Sequence, residues 1–227
     1  MSPCWAEDVF PSLEWRHDSQ LPLETERLLL REFRPEDEAA IYEYASDAAV
    51  VRSADWEPND LTTIRANLTR RLQKQEHWPR DSIEIAVTLR SDGCLIGIMR
   101  LSLLDRNNRT ADFGYTLNRR YWNQGYATEG ARALLNLALS GFGLHRVWAA
   151  CDVRHHASYR VIEKIGMRRE AWFQRDVWQK GAWRDSYLYA VLAEEWPISS
   201  GCKSPQGGRS GTSSGAHALA THLEIEP

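Results

Sequence analysis

The chain has 227 residues, of which 43% are hydrophobic and 26% charged, with a net charge of −3 and a pI of about 6.2. This length and composition are typical of a globular protein with one sizeable core. The charge gives no indication of nucleic acid or an anionic membrane as a partner. No apolar run approaches the roughly 18 residues of a membrane span, and the polar start of the chain predicts no signal peptide.

The ends of the chain differ in composition from its middle. Residues 1–22 show no clear periodicity and predict an N-terminal extension, whereas residues 198–227 are rich in Gly and Ser and predict a disordered tail. One domain is therefore expected at 23–197. The four cysteines form no C-x-x-C pair, so we expect reduced thiols in a cytoplasmic protein. Either a monomer or a homodimer is expected.

The first half of this domain predicts a strand, two helices and a three-stranded meander. Arg27–Phe33 is a short apolar strand, and Pro35 with the acids after it is typical of a helix start. A second, mostly polar helix is predicted from Thr62 to Gln75. Alternating apolar residues and turn sequences then predict strands at Ile83–Leu89, Cys94–Leu104 and Ala111–Leu117.

The second half predicts a long helix, a strand, a short helix and a hairpin. The long helix runs to about Ser140, and the strand His145–Val153 is apolar throughout, which predicts burial on both faces. The short helix ends at Gly166, and the hairpin turns at Lys180-Gly181. This order of elements predicts a mixed α/β sheet with helices on its faces.

The segment "YWNQG", Tyr121–Gly125, stands directly before the long helix. The first N–H groups of a helix lack intrahelical partners, so a helix mouth can bind an anion such as a phosphate. Gly125 permits a close backbone approach or an unusual φ. A plain helix start explains the same residues equally well.

The stretch "YWNQGYATEGARALL" resembles the acyl-CoA-binding motif Gln/Arg-x-x-Gly-x-Gly/Ala of the GNAT superfamily of N-acetyltransferases. Gly125 and Ala127 match the last two fixed positions, while Trp122 departs from the first. Four further segments resemble, in order, the branch that contains the ribosomal-protein N-terminal acetyltransferases: "LETERLLLREFRPED", "ADFGYTL", "HHASYRVIEKIGMRREA" and "GAWRDSYLYAVLAEEW". The resemblance covers about Leu23 to Trp196.

The resemblance implies the GNAT fold, a mostly antiparallel central sheet that is splayed in the middle and carries helices on both faces. It also implies an N-acetyltransferase that uses acetyl-CoA as co-substrate and no metal. The loop would hold the pyrophosphate, and the backbone of Leu117 and Asn118, at the end of the third meander strand, would pair with the pantetheine arm. The implied donor-binding residues are Leu117, Asn118, Trp122, Asn123, Gln124, Gly125, Tyr126, Ala127, Thr128, His155 and Ser158.

Two residues are candidates for catalysis. Ser158 lies on the inward face of its predicted helix, where it is either a packing or capping residue or a donor. The resemblance implies that Ser158 hydrogen-bonds or protonates the departing thiolate. Asp112 occupies the position of the family's Glu base and would act through water, or it is an ordinary polar residue. His155 stands where the family usually has an Asn that bonds the pantetheine arm. His155 and His156 make a poor metal site, because no third ligand is evident in the sequence.

The sequence leaves the acceptor open. The resemblance implies a primary amine, on a protein or peptide N-terminus, an amino acid or an antibiotic. A non-catalytic acyl-CoA-binding module is a further alternative, and a dinucleotide-binding oxidoreductase is disfavoured because no G-x-G-x-x-G is present. Trp56 is interpreted as a pocket wall or as packing, and Cys151 as a small core residue.

Overall fold

The computed structural model describes residues 21–52, 54, 56–77 and 80–197. Residues 1–20 of the predicted N-terminal extension and the whole predicted tail lie outside these residues, so the domain limits stay predictions. The strands are β1 (Leu23–Glu24), β2 (Leu28–Arg31), β3 (Ser82–Leu89), β4 (Leu95–Asp105), β5 (Thr110–Leu117), β6 (Arg146–Asp152), β7 (Arg168–Gln179) and β8 (Ala182–Leu192). The α-helices are α1 (Glu38–Ala45), α2 (Ala48–Val51), α3 (Leu61–Glu76), α4 (Tyr126–Asn136) and α5 (His156–Lys164).

All eight strands form one sheet in the order β1-β2-β3-β4-β5-β6-β8-β7. Every neighbouring pair is antiparallel except β5 and β6, which are parallel and are connected through α4. The predicted mixed α/β sheet is therefore confirmed. None of the helices in the described ranges is long and apolar enough to cross a membrane.

The sheet is split between β5 and β6. These strands pair at three positions only, from Thr110↔Arg146 to Asp112↔Trp148. Beyond Asp112, β5 continues beside β4 as far as Leu117, while β6 stays paired with β8. The two strands consequently diverge and leave a gap in the middle of the sheet, which confirms the predicted splay.

Apolar clusters cover both faces of the sheet. On one face, Leu134 and Leu135 of α4 are fully buried against the sheet. Gly130 lets α4 approach the sheet closely, because a Cβ at this position would lie only 2.6 Å from the Met99 side chain. On the other face, Ile64 of α3 packs with α1 and the sheet. Burial of these apolar surfaces is the main driving force that holds the helices on the sheet.

Two details differ from the sequence predictions. The long helix leaves α-helical geometry at Asn136 and continues as a π-turn, Leu137–Gly141, in which the Phe142 N–H donates to the Leu137 carbonyl at 2.8 Å. The prediction that the apolar strand is buried on both faces is wrong, because Ala150 of β6 is exposed. That position opens onto the gap between the strands.

Candidate active site

A cavity of about 660 Å³ occupies the gap and extends to both sides of it. Its walls come from the diverging ends of β5 and β6, the loop before α4, the first turn of α4, the length of α5, and the region of α2. From β5 and β6 they include Phe113, Tyr115, Thr116, Leu117, Ala149, Ala150, Cys151 and Asp152. The α2 end is lined by Ala49, Val50 and Ala54.

The loop before α4 turns a helix mouth toward the cavity. Asn123 and Gly125 both have left-handed backbone, with φ of +59° and +84°. The Glu129 N–H makes the first intrahelical bond, to the Gly125 carbonyl at 3.0 Å. The N–H groups of Tyr126, Ala127 and Thr128 therefore lack intrahelical partners, and all three residues line the cavity. This arrangement carries partial positive charge and suits a phosphate.

Charged side chains extend that positive region. Arg160 and Lys164, one helical turn apart on α5, line the same cavity. Asp152 is the one carboxylate among the described residues that line it, and the Arg154 Nε donates to that carboxylate at 2.9 Å. A ligand with several phosphate groups fits this distribution of charge.

The edge of β5 offers backbone groups to the gap. The Asn118 N–H donates to the Ile96 carbonyl of β4 at 2.8 Å. In an antiparallel pair, successive residues direct their backbone N–H and C=O groups to opposite edges of the strand. Tyr115 and Leu117 therefore turn their N–H and C=O groups toward the gap. The Trp122 Nε1–H donates to the Leu117 carbonyl at 2.8 Å, so Trp122 stabilises the end of β5 while its ring lines the cavity.

Ser158 and Tyr115 meet inside the cavity. Ser158 lies on α5, and its side chain is close enough to the Tyr115 hydroxyl to act on the pKa of that group. Burial raises the pKa of Tyr115 to about 12, against the lowering effect of Ser158. The Tyr115 hydroxyl thus keeps its proton at neutral pH. Sequence reasoning missed Tyr115, although its alternation with Leu117 was a usable signal.

His155 lines the cavity at the N-terminus of α5. Burial lowers the pKa of His155 from the ordinary 6.5; Asp152 opposes this shift and Arg52 adds to it. The imidazole is consequently neutral at neutral pH and can donate one hydrogen bond and accept another. That capacity suits the amide groups that the resemblance predicts at this position.

Two predicted donor-binding residues do not line the cavity. The Asn118 side chain accepts from the Arg120 N–H at 3.0 Å, and the residue is 5% exposed. The Gln124 side chain donates to the Arg120 carbonyl at 2.9 Å. The side chains of Asn118 and Gln124 therefore stabilise the loop internally.

Asp112 also lies outside the lining, at the fork where β5 and β6 stop pairing. The Arg100 Nη2 donates to its Oδ2 at 2.6 Å, whereas the buried Oδ1 has no hydrogen-bond partner within the described structure. Burial raises the pKa of Asp112, and Arg100 opposes that shift. The alternation of β5 places this carboxylate on the face opposite Tyr115.

Three further expectations can be compared with the structure. Cys151 is a free thiol that packs against the main core and also lines the cavity, and burial raises its pKa to about 11, so it is protonated at neutral pH. Trp56 packs against the cluster of α1 and α3 and does not line the cavity. Within the described ranges, His155 and His156 belong to no group of three side chains that could hold a metal ion.

Comparison with known proteins identifies the class to which this fold and site belong. The family model described as "Acetyltransferase (GNAT) domain" matches residues 27–168. The chain therefore belongs to the GNAT acetyltransferase family, whose members use acetyl-CoA, and it is an acyltransferase enzyme. The alternatives of a non-catalytic module and an oxidoreductase are accordingly set aside.

Individual relatives agree with this assignment. An uncharacterized N-acetyltransferase of Bacillus subtilis, YnaD, is 37% identical over 172 residues, which cover 76% of this chain and 97% of YnaD. The crystal structure of a GNAT-family acetyltransferase from Bacillus anthracis is 32% identical, with a TM-score of 0.68, over 76% of this chain and 98% of that one. YdaF of Bacillus subtilis, named as a candidate ribosomal N-acetyltransferase, is 31% identical over 46% of this chain and 57% of YdaF.

Proposed function

We propose that this enzyme transfers an acetyl group from acetyl-CoA to the N-terminal amine of a peptide or protein. One observation carries the proposal: a single cavity joins a phosphate-compatible helix mouth on one side of the split sheet to the region of α2 on the other. A donor with a phosphorylated tail and an acceptor amine can therefore meet in the gap between β5 and β6.

The donor is assigned to the helix-mouth side. The N–H groups at Gly125–Thr128 would hold the pyrophosphate, with Arg160 and Lys164 as neighbouring cations. The edge of β5 at Tyr115, together with the Leu117 N–H, would pair with amide groups of the pantetheine arm, as an added strand does. His155 would bond the same arm through its neutral imidazole.

The reaction follows from what meets in the gap. The neutral amine attacks the thioester carbonyl, the N–C bond forms, the C–S bond breaks, and the thiolate leaves. We assign Ser158, supported by the Tyr115 hydroxyl, to donate a hydrogen bond or proton to the departing sulfur. A backbone N–H at the edge of β5 is the proposed donor to the oxyanion. The protonated Cys151 is given no part in the transfer.

The proton of the attacking amine needs an acceptor. We retain Asp112 for this role, through a water molecule, because its Oδ1 is the unpartnered buried oxygen at the fork of the two strands. Burial favours proton uptake by raising the pKa of this carboxyl, while the bond from Arg100 works against it.

The acceptor side favours a peptide over a polyamine. A polycation needs several carboxylates, yet Asp152 alone among the described lining residues carries one, and Arg154 occupies it. The walls at Ala49, Val50 and Ala54 are small and apolar, which suits a small N-terminal residue.

Aromatic surface beside this end supports the same choice. The Lys180 Nζ, at the tip of the β7–β8 hairpin, donates to the Val51 carbonyl of α2 at 2.6 Å. Trp178 and Trp183 flank the tip, are 60% and 56% exposed, and stack edge to face. Exposed tryptophans on a hairpin that contacts α2 offer apolar contact area for a chain that continues beyond its first residue. The name of the relative YdaF, a candidate ribosomal N-acetyltransferase, also favours a protein acceptor.

A CoA-release assay with acetyl-CoA and a panel of amines tests this proposal. We expect the highest kcat/KM for peptides that begin with Ala or Ser, and mass spectrometry should place the acetyl group on the α-amine. The same peptides with a blocked N-terminus and an internal Lys are the matched control and should be inert. A preference for spermidine, an aminoglycoside or a free amino acid would replace the peptide with that acceptor.

A further inference from the structure

An arginine outside the cavity holds the loop that forms the helix mouth. Arg27 lies in the short connection between β1 and β2, about a hundred positions before this loop. Its backbone N–H and its Nε donate to the two carboxylate oxygens of Glu129, at 2.8 and 2.7 Å, and its Nη1 donates to the Gln124 carbonyl at 2.9 Å. One side chain thus bonds the loop and the first turn of α4 at once.

Glu129 is the centre of this arrangement. Its Oε1 also accepts from the Thr25 hydroxyl at 2.6 Å, and its side chain is 17% exposed. Partial burial acts to raise the pKa of Glu129, but Thr25 and Arg27 outweigh it and hold that pKa below its usual range. Glu129 is therefore an ionised carboxylate tied to the β1–β2 connection.

The bond to Gln124 fixes the direction of the next N–H group. In a trans peptide unit the C=O and the following N–H point in opposite directions. With the Gln124 carbonyl turned to Arg27, the Gly125 N–H must point away from Arg27. Gly125 lines the cavity, whereas Arg27 does not, so the cavity lies on the side that this N–H can face.

The same guanidinium also restrains the residue after the glycine. It lies 4.4 Å from the centre of the Tyr126 ring, and a Cβ added to Gly125 would be 3.3 Å from its Nη2. Arg27 consequently contacts both neighbours of Gly125, Gln124 and Tyr126. The left-handed backbone of Gly125 is fixed between these two contacts.

The charges within the pair matter as well. A carboxylate in the first turn of α4 stabilises the helix but would repel a phosphate bound to the same helix mouth. Arg27 bonds this carboxylate through its Nε and lies 2.7 Å from it through its Nη2 as well, which neutralises it locally.

We infer that Arg27 is a positioning residue for the donor: it orients the Gly125 N–H toward the pyrophosphate and neutralises the Glu129 carboxylate at the helix mouth. This inference rests on the proposed assignment of the donor to the helix mouth. It predicts that Arg27 controls affinity for acetyl-CoA and leaves the chemical step unchanged.

The test compares Arg27→Met, Glu129→Gln and the double variant by calorimetric titration with acetyl-CoA and by steady-state kinetics. Arg27→Met loses the bond to Gln124 and leaves the carboxylate unpaired, so Kd and KM should rise about tenfold or more, a difference of roughly 1.4 kcal/mol, with kcat at saturating acetyl-CoA within about threefold. Glu129→Gln should bind at least as tightly as the wild type. The double variant should recover part of the loss.

A matched control separates positioning from loss of structure. Arg90 stabilises the same connection, because its Nη1 donates to the Thr25 carbonyl at 2.8 Å, but it does not bond the loop or α4. Arg90→Met should therefore leave Kd unchanged. Should Arg27→Met melt far below the wild type, Arg27→Lys carries the test, since a single ammonium cannot reproduce the guanidinium's bonds to Gln124 and Glu129 together.

The possible failures are distinguishable. If the wild type does not bind acetyl-CoA, the donor assignment itself fails. If the wild type binds but Arg27→Met and Arg27→Lys keep its Kd within twofold, the positioning role is wrong and the donor assignment stands. An equal loss of affinity in Arg90→Met, or a fall in kcat as large as the rise in KM, would show a merely structural role.

Discussion

Ser158 and Tyr115 bring two hydroxyl groups from different elements to the middle of the cavity. Tyr115 comes from the diverging end of β5 and Ser158 from the first turn of α5. Because burial keeps Tyr115 protonated, it can donate to Ser158 while the Ser158 proton turns to a ligand. Such a pair can place a donor at a developing negative charge without adding a formal charge to the site.

Substitution of Ser158 by Ala should lower turnover without weakening donor binding. A hydrogen bond to a developing charge contributes roughly 1.5–3 kcal/mol, so kcat should fall by about one to two orders of magnitude. The acetyl-CoA Kd should change little, because the bond strengthens only as charge develops on sulfur. Steady-state kinetics with one good acceptor, together with calorimetric titration, measures both quantities.

Tyr159→Phe provides the control for that experiment. Tyr159 follows Ser158 on the same helix but packs against His156 and Tyr187 and does not line the cavity. Its removal should leave kcat unchanged. Full turnover in Ser158→Ala would make Ser158 a packing or capping residue, and a loss in Tyr159→Phe instead would move the donor to that hydroxyl.

At the scale of the elements, sequence patterns predicted what local chemistry determines. The hairpin turn at Lys180-Gly181 has φ of +49° and +75°, as its glycine and polar neighbour indicated. The polar helix predicted from Thr62 to Gln75 is α3 almost residue for residue, and Asp60 caps it through the Thr63 N–H at 2.8 Å. Periodicity and capping are local properties, which is why they can be read from the chain.

Elements that depend on distant partners were missed. β1 has only two residues and exists because it pairs with β2, and α2 is a single turn that was not foreseen after Asp47. The split of the sheet has no local signal either, because it arises where β5 and β6 take different neighbours. It entered the sequence analysis only through the resemblance to a known family.

The loop before α4 is the element whose geometry a single substitution should test. Gly125 has φ of +84°, which a β-branched residue does not adopt without strain, and it lines the cavity. Gly125→Val should therefore abolish the rise in melting temperature that acetyl-CoA gives the wild type. NAD should give no such rise in either protein.

A second glycine separates the strain of this substitution from loss of the site. Gly143 also has positive φ, +67°, but it has no atom within 4 Å of its added Cβ and lies outside the cavity lining. Gly143→Val should lower the melting temperature yet keep the shift with acetyl-CoA. An unchanged shift in Gly125→Val would reduce the loop to a plain helix start.

Considered as a whole, the molecule shows why the site was only partly predictable. The motif around Gly125 and the inward face of Ser158 are local features, and the structure brings both residues to one cavity. Arg27 lies about a hundred positions before the loop that it bonds, and the partner that the structure gives Asp112, Arg100, lies on a neighbouring strand. Contacts of this kind depend on strand order and register, which no single stretch of sequence contains.

The location of the cavity leads to a prediction for the whole chain. The described residues that line it all fall between Ala49 and Lys164, and the last described core residue is Trp196, which is 8% exposed. A chain that ends at Pro197 should therefore fold and bind acetyl-CoA like the full-length protein. At a concentration of 100 Kd the donor should stabilise either chain by about 2.7 kcal/mol, which corresponds to a rise in melting temperature of roughly 5–10 °C.

The decisive comparison is between two truncations. A chain that ends at Ala193 lacks Trp196, exposes the core that this ring covers, and should melt well below the full-length protein even with acetyl-CoA present. The chain that ends at Pro197 should match the full-length protein in melting temperature, in the shift with acetyl-CoA and in kcat. If it keeps its stability but loses the shift or the turnover, residues beyond Pro197 take part in substrate binding, and the site extends past the cavity described above.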